Sequence, residues 1–211
     1  MFQKIKIKHL NSLKENKGEY MGLLDIFKKS KKVDVTKVEN NLKTVSQKTV
    51  SKQTEHRLDL TKKIDNSFKK LNLDKPEILS NALFLLDVSG SMDDLVDNMK
   101  KIDHLRDVMK NYQDARKICF SNKIYTDGSI PEPNGSTNLA GALRYIKDNV
   151  DKPNKIVLVS DGEPDNELDA WEIVQQLELP IDIVFIGRSK SRGELFMQKL
   201  AQKTGGENFT V

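Results

Sequence analysis

The stretch NALFLLDVSGSMDD, residues 81–94, decides how the chain is read. Its first half is a continuous apolar run, the pattern a strand needs when both faces of its sheet are covered. Its second half sets Asp87, Ser89 and Ser91 at alternate positions, so their oxygens leave the end of that strand on one side. Oxygens gathered at such a point either cap a following helix or hold a cation.

Working outward, two more buried strands stand out: NKIVLVSDG (154–162) and PIDIVFIG (180–187). ARKICFSN (115–122) and KIYTDG (123–128) read as a strand pair, and ENFTV (207–211) as a short closing strand. Between them lie helical patterns. Leu95, Met99, Ile102, Met109 and Tyr112 fall at helical spacing after the first strand. TNLAGALRYIKDN (137–149), NELDAWEIVQQL (166–177) and ELFMQKLAQKT (194–204) follow, the last stopped by Gly205-Gly206 in a Schellman-type ending. Strands alternating with helices predict an α/β domain: a doubly wound, mostly parallel sheet with helices on both faces. Ligands of such sheets bind outside the carboxyl ends of the strands.

Charge divides the chain. Its formal net charge is +4, yet residues 1–75 carry 19 Lys/Arg against 9 Asp/Glu, whereas residues 76–211 carry 16 against 22. Pro76 marks the change, which predicts a basic arm over 21–75 and a folded domain over 76–211. Within the arm, Val38, Leu42, Val45 and Thr49, then Leu60, Ile64, Phe68 and Leu71, form a weak helical stripe. The arm reads as helical or partly disordered, with a two-stranded coiled coil as one arrangement. A solvated face is the plain reading of its charge; contact with nucleic acid or an anionic membrane surface is the alternative. Residues 1–20 read as translated leader, because codons for Lys17-Gly18-Glu19 can spell a ribosome-binding site ahead of Met21. Cys119 is the only cysteine, which fits a reducing compartment. No apolar run reaches the roughly 20 residues of a bilayer span. A cytoplasmic, soluble protein is the expectation.

Three loops should meet on one sheet edge. The first strand ends in Asp87, Ser89 and Ser91; the central strand ends at Asp161-Gly162-Glu163; PNGSTNLAGAL brings Thr137. Taken singly, Ser91 and Thr137 could be helix N-caps, and Asp161 could open a turn with Gly162. Together they offer two carboxylates and three hydroxyls, with no His or Cys. Hard oxygen donors favour Mg²⁺, Mn²⁺ or Ca²⁺ over zinc, and small hydroxyl donors favour Mg²⁺ or Mn²⁺.

D-x-S-x-S closing the first strand, a Thr before the middle helix and S-D-G closing the next buried strand resemble a von Willebrand factor A (vWA) domain. The resemblance covers residues 79–211 and matches all five positions of that family's metal-ion-dependent adhesion site: Asp87, Ser89, Ser91, Thr137 and Asp161. It implies a Rossmann-like fold of the intracellular prokaryotic or phage type. It implies direct ligation by Ser89 and Ser91, and by Thr137 in the ligand-bound form, with Asp87 and Asp161 acting through water or from behind. Neutral donors leave the ion most of its charge, so an open position attracts an Asp or Glu of a partner protein. The implied partners are an AAA+ ATPase or a stress-resistance complex, and the implied role is a non-catalytic subunit or adaptor. Glu163, Asp93, Asp94 and Asp165 flank the site, either tuning partner choice or as solvated turn residues. Trp171 is expected to pack against the sheet. The alternative function is a Mg²⁺-dependent phosphatase with Asp87 as nucleophile, though position 89 is Ser where a D-x-D pattern needs Asp. No phosphate-cradling Gly-rich loop ending in Lys-Ser/Thr occurs, and Ser89 has no identifiable His base.

Overall fold

Each long apolar run sends alternate side chains into two separate cores. Leu83, Leu85, Ile156, Leu158, Ile181 and Ile183 enter one; Phe84, Leu86, Val157, Val159 and Val184 enter the other. A strand clothed on both sides belongs inside a two-sided parallel sheet, which is why these runs show no polar alternation. The computed structural model describes residues 60–96 and 98–211, all within one of the chain's two compact units.

Helix α1 (residues 60–70) is followed by the short α2 (Pro76–Leu79), β1 (Ala82–Asp87) and a 3-10 turn (Gly90–Asp93). Next come β2 (Leu95–Val96), β3 (Met99–Lys100), α3 (Lys101–Met109), β4 (Arg116–Phe120) and β5 (Ile124–Tyr125). Then α4 (Leu139–Asn149), β6 (Lys155–Ser160), α5 (Glu167–Leu177), β7 (Ile181–Phe185), α6 (Arg192–Thr204) and β8 (Asn208–Thr210) complete the domain. The main sheet runs β5-β4-β1-β6-β7-β8. All its neighbours are parallel except β4 and β5. Buried residues of α4, α5 and α6 share one core, and those of α1 and α3 the other. The fold is therefore doubly wound, mostly parallel and Rossmann-like. From β1 the chain steps outward to β4, then returns to β6 on the other side of β1. Connections diverge there, which opens a crevice above the carboxyl ends of β1 and β6.

The segment after β1 departs from the sequence expectation. One long helix was predicted to carry Leu95 and Met99, but β2 and β3 form a small antiparallel hairpin and helix begins only at Lys101. Asn98 stands at φ 65, a left-handed conformation that a right-handed helix does not accommodate. Leu95 is consequently 67% exposed, whereas Ile102, Met109 and Tyr112 are buried.

Of the stripe assigned to the arm, Leu60, Ile64, Phe68 and Leu71 are buried, joined by Leu73. The Phe68 ring meets Phe84 of β1 and Tyr112 edge-on, each at 5.2 Å between centroids. Tyr112 Oη donates to Asp65 Oδ1 at 3.1 Å. Core packing thus continues upstream of Pro76. The leader, the stripe from Val38 to Thr49 and the coiled-coil reading lie outside the described residues. Among the described residues, no helix is long and apolar enough to cross a membrane.

Candidate metal centre

Parallel register sets Leu86 beside Val159, so β1 and β6 stop at one level and deliver Asp87 and the Ser160-Asp161 pair together. Asp87 is fully buried. Its Oδ1 accepts the Ser89 N–H at 2.8 Å, and its Oδ2 accepts the Ser160 hydroxyl at 2.6 Å. Burial pushes this carboxyl up to about 6, against the opposing pull of the hydrogen bonds from Ser160 and Ser89. Asp87 thereby fixes the turn that carries both serines.

Beyond that turn, Ser89 Oγ lies 3.1 Å from Ser91 Oγ, and Ser91 Oγ donates to Asp161 Oδ1 at 2.8 Å. The third loop is stitched alongside. Asn134 N–H donates to the Val88 carbonyl, and Gly90 N–H to the Gly135 carbonyl, both at 2.9 Å. Asp165 holds the loop from the far side: its Oδ1 accepts the Thr137 N–H at 3.0 Å and its Oδ2 the Ser136 hydroxyl at 2.5 Å. Its own N–H donates to the Thr137 carbonyl at 2.9 Å. A β-carbon placed on Gly162 would stand 3.7 Å from both Ser91 Oγ and Thr137 Oγ1, so these two hydroxyls flank the glycine. Hydrogen bonds therefore link Asp87, Ser89, Ser91 and Asp161 at the ends of β1 and β6, and Thr137 Oγ1 lies beside the same glycine, Gly162, as Ser91 Oγ.

The simpler uses of these residues are taken by others. Asn138, not Thr137, caps α4, its Oδ1 accepting from the Gly141 N–H at 2.9 Å. Ser91 sits inside the 3-10 turn and spends its hydroxyl on Asp161. The spacings of 3.1 Å between the two serine hydroxyls and 2.8 Å from Ser91 to Asp161 are those of direct hydrogen bonds. Among the described residues, no group of three or more His, Cys, Asp or Glu is placed to hold a metal, so a centre here depends on hydroxyls.

Two residues with parts in this arrangement escaped the sequence reading: Ser160 bonds Asp87, and Lys101 Nζ reaches Asp161 Oδ2 at 2.6 Å. Asp165, read as a flanking acid, clamps the Thr137 loop. Of the other flanking acids, Asp93 pairs with Lys100 at 2.6 Å and Glu163 with Arg192 at 3.3 Å. Trp171 packs beside Phe196, 5.3 Å between ring centroids.

No protein-family model and no curated protein matches the chain. Among solved structures it is similar to the manganese-loaded TRAP protein of Plasmodium vivax, at 19% identity and TM-score 0.43, over 59% of this chain and 64% of that one. It is also similar to a von Willebrand factor type A structure from Catenulispora acidiphila, at 15% identity and TM-score 0.43, over 62% of this chain and 38% of that one. A third similarity is to an aerotolerance-related membrane protein from Bacteroides fragilis with multiple mutations to serines, at 16% identity and TM-score 0.41, over 62% of this chain and 90% of that one. The chain spans less than two thirds of the length of the first two.

Proposed function

We propose that this domain is a metal-dependent protein-binding module of the vWA type, in which the crevice above β1 and β6 captures a carboxylate of a partner protein. The observation that carries this reading is the hydrogen-bonded run from Ser89 Oγ through Ser91 Oγ to Asp161, with Thr137 Oγ1 beside the same glycine, Gly162, as Ser91 Oγ. Mg²⁺ or Mn²⁺ bound there supplies a positive charge with an open position for an Asp or Glu side chain. Ser89, Ser91 and Thr137 are the neutral donors. Asp161 orients Ser91 through its hydrogen bond, and Asp87 orients the serine turn from beneath. Neutral hydroxyl donors leave a bound dication most of its charge, which suits capture of a carboxylate.

The phosphatase alternative fares worse. A nucleophilic Asp87 would need an oxygen facing the substrate, yet the residue is fully buried and both its oxygens accept hydrogen bonds. We read the protein as a non-catalytic subunit or adaptor of a cytoplasmic complex, with an AAA+ ATPase or a stress-resistance assembly as the partner. Affinity capture from the native host, with Mg²⁺ or Mn²⁺ present and again with chelator, tests this. One partner should be recovered with metal, be lost with chelator, and be lost with Thr137→Ala. Equal recovery under all three conditions would remove the metal from the binding mechanism.

A further inference from the structure

Lys101 is an ammonium group built into the candidate metal centre. It is the first residue of α3, and its side chain turns back over the 3-10 turn. Its Nζ contacts Asp161 Oδ2 at 2.6 Å, Asp94 Oδ2 at 3.3 Å and the Ser91 carbonyl at 3.3 Å. Those three acceptors use the three donors an ammonium possesses. The Lys101 side chain is 13% exposed and that of Asp161 is 0% exposed. A carboxylate so enclosed needs a compensating charge. Lys101 supplies it without any metal.

The consequence concerns metal loading, and it rests on the reading of this crevice as a metal site. The Asp161 carboxylate, proposed to serve the ion, is also the group that pairs with the ammonium, and the backbone carbonyl of Ser91, whose hydroxyl is a proposed donor, holds the ammonium as well. A dication and an ammonium sharing one carboxylate repel each other strongly in a half-buried setting. We infer that Lys101 is a tethered competitor, the resting counter-ion of the site, which a divalent ion must displace. Asp94 offers the landing point: its side chain is 69% exposed and already lies 3.3 Å from Nζ, on the solvent side of the ammonium. Such a competitor weakens the bare site for metal. A partner carboxylate that completes the coordination shell then offsets the displacement, so metal and partner bind with positive coupling.

The test uses Mn²⁺ as the probe and the full chain. Titration calorimetry should show Lys101→Met and Lys101→Gln binding Mn²⁺ about tenfold or more tightly than the wild type, with Lys101→Arg close to wild type. In chelator, Lys101→Met should melt below the wild type, and saturating Mn²⁺ should close that gap. The wild type alone provides a second measurement. Mn²⁺ should increase acetylation of Lys101 by acetic anhydride, read by peptide mass spectrometry, because displacement exposes the amine. Equal Mn²⁺ affinity in wild type and both neutral variants, or labelling of Lys101 indifferent to Mn²⁺, would overturn the inference while leaving the metal site standing. Absence of Mn²⁺ binding in every variant would remove the site and the inference together.

Discussion

Cys119 illustrates how far a single residue follows from its neighbourhood in the sequence. RKICF reads as a strand, and a lone thiol inside a strand reads as a small core residue; in the structure it is 1% exposed, its Sγ 3.4 Å from the Ser129 carbonyl. Burial pushes its thiol up to about 12. Thiolate is the reactive form, so at pH 8 a disulfide reagent should modify the native protein at least about 100-fold more slowly than the denatured chain. Release of the chromophoric thiolate with and without guanidinium measures this; equal rates would mean the strand opens readily. The folded state keeps this proton where the unfolded chain, with its ordinary pKa of about 8.5, has lost it. Stability therefore declines as pH climbs from about 8.5 toward 12. The five oxygen donors were legible for a comparable reason: four of them, Asp87, Ser89, Ser91 and Asp161, stand at the ends of buried runs, and strand ends point to a crevice. Lys101 and Ser160 were not legible. Their contacts to Asp161 and Asp87 bridge 60 and 73 positions of sequence, and nothing local separates either from other lysines or serines.

At the scale of elements, the continuous strands announced themselves because burial on both faces leaves no polar alternation to confuse the pattern. The hairpin of β2 and β3 did not. Leu95, Met99 and Ile102 happen to follow helical spacing, yet Asp94 and Lys100 are extended and Asn98 turns left-handed between the two strands, a conformation its residue type permits but does not demand. A related case ends α5. Glu178 stops that helix at φ 52 and ψ 36, a position glycine usually fills. Left-handed geometry costs a residue with a β-carbon about 1–2 kcal/mol, and glycine's extra unfolded-state freedom returns about 0.5–1 kcal/mol of that. Glu178→Gly should therefore stabilise the domain by about 0.5–1 kcal/mol, read from the urea midpoint at constant slope. A lower midpoint would mean that the Glu178 side chain contributes more than its backbone loses.

For the whole molecule, the deciding question is where the domain begins. Proline restricts the residue before it, and Pro76 coincides with the change in composition, so the boundary was drawn there. Long-range packing answers differently. Helix α1 and the turn after it insert Leu60, Ile64, Phe68, Leu71 and Leu73, all buried, into the core that also contains Phe84, Leu86, Ile102 and Val108. Each fully buried side chain of this size contributes about 1.5–3 kcal/mol. Five of them together rival the whole net stability of an ordinary domain, about 5–15 kcal/mol. Their loss would also strip the cover from Phe84 and Tyr112, which meet Phe68 edge-on. Sequence pattern could show that α1 has an apolar stripe; it could not show what the stripe covers, because the partner residues lie on strands and helices further along the chain. A protein beginning at residue 52, where the compact unit that holds the described residues starts, should then unfold cooperatively. A protein beginning at residue 76 should lack a cooperative transition and bind a dye specific for exposed apolar surface. Sharp near-ultraviolet dichroism and a wild-type melting temperature in the shorter protein would show that the sheet and its other helices close their core without α1.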